Sequence, residues 1–215
     1  MGGDTISIAI GNGFNSYTPL QMAHAVATLA NNGIIMKPHL VKMVEDPTTK
    51  QRALTVPKES GRIALKQENI DIIKRAMVGV TSDQSGTAFL QFRGAPYTVG
   101  GKTGTAQVVG LKGAKYNAAA IPERLRDNAL FIAFAPADHP RIALALVVEN
   151  AGFGAAVAAP IARKALDYYL LGKRPGDADK PAPKPADPVP ADEDQVAPTA
   201  GADFKPGGET PGNKD

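Results

Sequence analysis

Two apolar runs, Ala129–Phe134 and Arg141–Glu149, are parted only by Pro136-Ala137-Asp138-His139-Pro140. A link that short and proline-rich lets the chain do little except turn back on itself, so the runs read as an antiparallel hairpin buried on both faces. His139 sits in the turn and reads as structural or solvated. Upstream lies a third β-like stretch, Gly100-Gly101-Lys102-Thr103-Gly104-Thr105-Ala106-Gln107, flanked by Tyr97-Thr98-Val99 and Val108-Val109. Its flanks are aromatic or β-branched and read as strand.

The helices are written around this sheet. Thr18 is an N-cap, Pro19 suits the first helical position and Gln21 completes a capping box. Leu20, Ala23, Ala27 and Ala30, with Val26 alongside, form a small-residue face that implies close packing, and Asn31-Asn32-Gly33 stops the helix. His24 on this helix has no second ligand at metal spacing and reads as a boundary histidine. A second helix runs from about Glu68 to Val80, with Ile70, Ile73, Met77 and Val80 on one side. Thr81–Thr87 reads as a polar loop, and Ala88–Phe92 as a short apolar piece of undecided type. A last helix, Ala156–Leu171, closes at Gly172. Short strands are expected at Asp4–Ile10, Ile34–Met36 and Leu40–Val44, with Arg52–Val56 returning as a hairpin arm after the turn Asp46–Lys50. The fold class is therefore α+β, an antiparallel sheet covered by helices.

Composition breaks after Gly172. Residues 173–215 hold 9 of the chain's 18 prolines, no leucine or isoleucine and one aromatic, Phe204. That segment cannot bury enough apolar surface to offset the entropy of ordering, so it is expected to be a disordered Pro-rich tail, and 1–172 the folded part. The tail is net −3 and the remainder net +6. This is a weak basic signal, and no aromatic-interleaved basic patch suggests nucleic acid. Without cysteine there are no disulfides and no thiolate metal sites. No metal or cofactor is expected. No apolar run approaches the ~18 residues of a membrane span, and Met1-Gly2-Gly3-Asp4 lacks the marks of a signal peptide. Any export signal or anchor is expected outside this chain.

Lys102-Thr103 invites comparison with a phosphate loop, G-x-x-x-x-G-K-[ST]. The first glycine of that pattern would fall at position 96, which is Pro96, and Gly104 followed by Val108-Val109 is a poor helix opening. The phosphate-loop reading fails.

Lys102-Thr103-Gly104 on a strand resembles instead the third motif of penicillin-recognising acyl-transfer enzymes. Further landmarks follow in order. Gly11-Asn12-Gly13 with Tyr17-Thr18-Pro19-Leu20-Gln21-Met22-Ala23 resembles a G-x-G…T-P-L-Q-x-A helix, Ser85-Gly86-Thr87-Ala88 an S/G-G-T-A segment, Gly101–Gln107 a G-K-T-G-T-A-Q strand, and Phe131–Pro136 the strand after it. Residues 1–172 thus resemble the C-terminal part of a class B penicillin-binding protein transpeptidase domain, nearest its cell-elongation branch.

The resemblance implies a serine-type peptidoglycan D,D-transpeptidase of the bacterial cell wall, on the periplasmic face of the inner membrane. Its substrate is a stem peptide ending in D-alanyl-D-alanine, and β-lactam antibiotics are its inhibitors. Cell-elongation membrane proteins are possible partners. Thr103 and Thr105 would meet the substrate carboxylate, Lys102 would supply positive potential, and Gly104 would let the substrate backbone approach. The backbone N–H of Thr105 would be one of two oxyanion donors. Lys102 and Thr105 are the expected catalytic residues; Lys102, Thr103, Gly104 and Thr105 the expected substrate-binding ones.

The family also needs S-x-x-K and S-x-N. None of Ser7, Ser16, Ser60, Ser82 and Ser85 begins either motif. The chain therefore resembles a fragment, inactive alone, whose partner is the missing N-terminal half of the same domain. Such a fragment should expose an apolar patch beyond the few hundred Å² usual for a monomer. Alternatives of the same fold are a serine β-lactamase or D,D-carboxypeptidase-like fragment, and a non-catalytic binding module.

Overall fold

Three antiparallel strands carry the fold: β5 (Gly100–Ala106), β6 (Asn128–Ala135) and β7 (Ile142–Val148), in the order β5-β6-β7. The structure, a computed structural model, describes residues 15–108 and 121–174, together with Ile8, Gly11, Asn117 and Gly176. The strand expected at Asp4–Ile10, apart from Ile8, and nearly all of the expected tail lie outside those residues. Ahead of the sheet come α1 (Pro19–Ala30), β1 (Ile34–Met36), β2 (Met43–Glu45), β3 (Arg52–Leu54), β4 (Glu59–Arg62), α2 (Gln67–Ser82) and α3 (Phe89–Phe92); α4 (Ala158–Leu171) follows it.

β6 is the centre of the core because both of its faces are apolar and both are covered. Ala129, Phe131, Ala133 and Ala135 alternate onto one face and pack with Ala158, Ala159, Ala162 and Leu166 of α4. Phe131 also stacks on Phe92 of α3, with ring centroids 5.5 Å apart. Phe134, on the opposite face, packs with Val26 and Ala30 of α1 and Met77 of α2. Phe131 and Phe134 are fully buried, a gain of roughly 1.5–3 kcal/mol apiece. β7 is half-buried along its whole length, so burial on both faces holds for β6 and not for its partner. An edge strand has one side without a neighbour.

The first helix forms as its caps dictate. Thr18 Oγ1 accepts from the Gln21 N–H, and the Gln21 side chain accepts from the Thr18 N–H. Val26 and Ala30 are buried as expected, but Leu20, in the first turn, is 68% exposed. His24 donates through Nε2 to the Met36 carbonyl at 2.8 Å, tying α1 to β1. Lys74 of α2 caps the other end, donating to the Ala30 carbonyl and to Asn32 Oδ1 at 2.7 Å each. Burial lowers the Lys74 pKa, against the raising influence of Asp71.

Other expectations shift. α2 continues through Thr81 and Ser82, and Ile73 is exposed while Ile70 and Met77 are buried. Ala88–Phe92 contains a short helix. The β2–β3 hairpin forms across Asp46–Lys50, with Asp46 accepting from the Thr48 and Thr49 amides at 2.7 and 2.8 Å. Those two backbone bonds, Thr49's first, hold the Asp46 pKa low. Every residue of this hairpin is exposed, including Met43, Val44 and Leu54. β4, which the sequence did not announce, pairs with β1.

Candidate functional site on an edge strand

β5 binds β6 along one side, in register from Gly100 opposite Phe134 to Ala106 opposite Asn128. Among the described residues its other side carries no strand. Lys102, Thr103, Gly104 and Thr105 are consecutive on this edge. Successive strand residues point to opposite faces, so the Thr103 and Thr105 side chains share one face and Lys102 leaves from the other. Lys102 is exposed, and its ammonium turns back along the strand to donate to the Thr103 carbonyl at 2.8 Å. An ammonium, two hydroxyls and the backbone of an open edge thus lie within a few residues.

Tyr97-Thr98-Val99 is not strand, although its residue types favour one. These side chains and carbonyls are engaged elsewhere. The Tyr97 hydroxyl donates to Asp167 of α4, and Arg163 Nε donates to both carboxylate oxygens of Asp167 at 2.9 Å. The Arg163 guanidinium also lies 5.9 Å from the Tyr97 ring centroid, a cation–π contact. Burial first, then the Asp167 hydrogen bond, raises the Tyr97 pKa. Val99 offers its carbonyl to the buried hydroxyl of Thr81, on the last turn of α2. At the far end Val108 is likewise outside the strand, and Val109 lies outside the described residues.

The same turn of α2 seats Ser85-Gly86-Thr87-Ala88. The Ala88 N–H donates to the Val80 carbonyl at 3.0 Å, and Ala88 is fully buried. Gly86 lies directly against the Gly79 and Val80 carbonyls, where any Cβ would collide with backbone. That close approach requires glycine. It delivers Thr87 to β5, where Thr87 Oγ1 and Thr103 Oγ1 are 3.0 Å apart. Sequence reasoning named Ser85–Ala88 as a landmark but did not bring Thr87 to the site. The signal was the Gly86-Thr87 pair close behind a helix end.

Gly104 has a neighbour of its own. A Cβ there would stand 3.2 Å from the Leu130 Cβ, and a Cβ on Gly154 would run into the backbone of Gly104 and the Leu130 carbonyl. The turn leading into α4 therefore lies directly against the backbone of β5 at Gly104. His139 is exposed in the β6–β7 turn beside Asp138, and its hydrogen bond is the main reason the Asp138 pKa is low. Among the described residues no cluster of His, Asp or Glu is placed to hold a metal ion, and no helix is long and apolar enough to cross a membrane.

A helix-covered antiparallel sheet with Lys-Thr-Gly on its edge strand is the layout of the penicillin-recognising acyl-transfer proteins. Within that class the chain belongs to the penicillin-binding protein transpeptidase domain family, whose model matches residues 1–167. It is 42% identical over 179 residues to the peptidoglycan D,D-transpeptidase MrdA of Haemophilus influenzae, a match covering 80% of this chain and 27% of that protein. The chain thus spans about a quarter of that relative's length. Its fold matches Pseudomonas aeruginosa PBP2, crystallised in complex with WCK 5153, with TM-score 0.64 and 34% identity over 85% of this chain and 36% of that one. It also matches the Helicobacter pylori complex between penicillin-binding protein (PBP2) and MreC, with TM-score 0.59 and 26% identity over 79% of this chain and 28% of that one. The likeness is to the penicillin-binding protein 2 branch, as the landmarks implied.

Proposed function

We propose that this chain forms the carboxylate-recognising and oxyanion side of a peptidoglycan D,D-transpeptidase active site of the penicillin-binding protein 2 type. The observation that carries this is β5, a strand that presents Lys102, Thr103 and Thr105 and, among the described residues, has no strand on its second side, in a domain of this family. A stem peptide ending in D-alanyl-D-alanine, or a β-lactam, adds to that edge as an extra strand and is read partly through main-chain hydrogen bonds. The hydroxyls of Thr103 and Thr105 donate to its terminal carboxylate, and Lys102 supplies the positive potential that favours the anion.

The Thr105 N–H serves as one oxyanion donor, an interaction made stronger as the tetrahedral intermediate forms. Such a donor is worth ~10²–10³ in rate. The second donor and the nucleophile come from a serine of an S-x-x-K motif, which no serine of this chain begins. That serine attacks the penultimate alanyl carbonyl and the terminal D-alanine leaves. The acyl group then passes to an amine of a second stem peptide, cross-linking the wall. In this reading the whole protein works at the periplasmic face of the inner membrane with elongation proteins as partners; the MreC complex of a structural relative supports the latter.

A fluorescent penicillin tests the assignment. The gene product that carries this chain is labelled at a serine outside residues 1–215, the chain alone is not, and Lys102→Ala in the gene product slows labelling by at least tenfold. Labelling of the chain alone, or none of the gene product, overturns it.

A further inference from the structure

We infer that Thr87 is a positioning residue for carboxylate recognition, acting through Thr103; the inference rests on the functional reading above and deepens it. The two hydroxyl oxygens are 3.0 Å apart, a hydrogen bond in which either can donate. A hydroxyl has one proton. If Thr103 spent its proton on Thr87, none would remain for a ligand. With Thr87 as donor, Thr103 Oγ1 accepts from it and turns its own proton away, toward whatever lies along the β5 edge. An anion there selects this arrangement, because only then does it receive a hydrogen bond from Thr103. The two bonds in series polarise one another, strengthening the bond to the anion.

The placement of Thr87 is built rather than incidental. Thr87 and Thr103 are 16 residues apart in sequence, yet both are referenced to one helix end. The last turn of α2 holds the lead-in to β5 through Thr81 and the Val99 carbonyl, and it holds the Thr87 loop through Val80, with Gly86 pressed on the Gly79 and Val80 carbonyls. Ala88, fully buried, anchors the loop from the other side of Thr87. Thr87 itself is exposed, so its side chain is held by its neighbours and not by burial.

The experiment uses the gene product that carries this chain and two acyl donors. One is an N-acyl-D-alanyl thioester whose leaving group ends in a carboxylate; the other is the same thioester ending in a carboxamide. Thr87→Val, nearly the same shape without the hydroxyl, lowers the second-order constant for the carboxylate donor roughly three- to tenfold relative to the carboxamide donor, the size expected for one hydrogen bond. Thr87→Ser restores the ratio. An equal fall for both donors means Thr87 only packs, and overturns the inference. No fall for either does the same. If the unsubstituted protein turns over neither donor, or turns over both equally well, the functional reading fails and the role of Thr87 fails with it; a preference for the carboxylate donor that Thr87→Val leaves unchanged removes the role of Thr87 alone.

Discussion

Tyr97, three residues before β5, shows how one side chain can decide where a strand begins. Its hydroxyl is committed to Asp167, whose carboxylate is clamped by Arg163, and this ties the approach to β5 to α4. Deprotonation would set a phenolate beside a carboxylate, so burial and Asp167 together raise the Tyr97 pKa. The sign of the consequence follows. Below the ordinary value of 10.0 both folded and unfolded chains hold the proton, and the network contributes fully. Above it the unfolded chain ionises first, so stability is lost as pH rises from about 10 toward the raised folded value. In urea unfolding, the advantage of the unsubstituted protein over Tyr97→Phe is expected to be constant below pH 9 and to shrink above pH 10. A constant difference across that range would mean that the hydroxyl ionises freely in the fold.

The turn into α4 and the β5 strand depend on each other at Gly104 and Gly154. Gly154→Ala adds one methyl where backbone already lies, and such overpacking costs about 1–3 kcal/mol. The urea midpoint should fall accordingly, and an unchanged midpoint would show that the turn is not seated on the strand. The elements differ in how readable they were. The capped helix α1 was legible because Thr18, Pro19 and Gln21 are neighbours whose meaning is local. The β6–β7 hairpin was legible because its apolar runs leave no other use for the prolines between them. The true start of β5 was not, since Tyr97–Val99 has strand propensity that tertiary hydrogen bonds override. β4 was not, because Glu59-Ser60-Gly61-Arg62 has no apolar alternation and becomes strand only against β1. The Lys102–Thr105 segment could be named from sequence. Its arrangement could not: the split of Lys102 and Thr103 to opposite faces follows only once the strand is certain, and Thr87 reaches Thr103 through a helix end that the apolar periodicity placed two residues too early.

At the scale of the whole molecule, two apolar clusters share one strand. Phe131 belongs to the cluster with α3 and α4, and Phe134 to the cluster with α1 and α2. They point from opposite faces of β6, only three residues apart. If each cluster were held by its own elements, weakening one would leave the other intact. Because β6 is common to both, loss of packing at Phe134 loosens the strand on which α4 rests, and loss at Phe131 loosens the strand on which α1 rests. Phe134→Leu and Phe131→Leu each shrink a fully buried ring, at a cost of about 1–3 kcal/mol. Native-state hydrogen exchange reads where that cost is felt. The expected result is that either substitution speeds exchange by a similar factor at the buried amides of α1 and of α4, because both open through the same unfolding of β6. Faster exchange confined to α1 in Phe134→Leu, with α4 unaffected, would show two separately unfolding halves. The edge strand β5 would then owe its placement to only one of them.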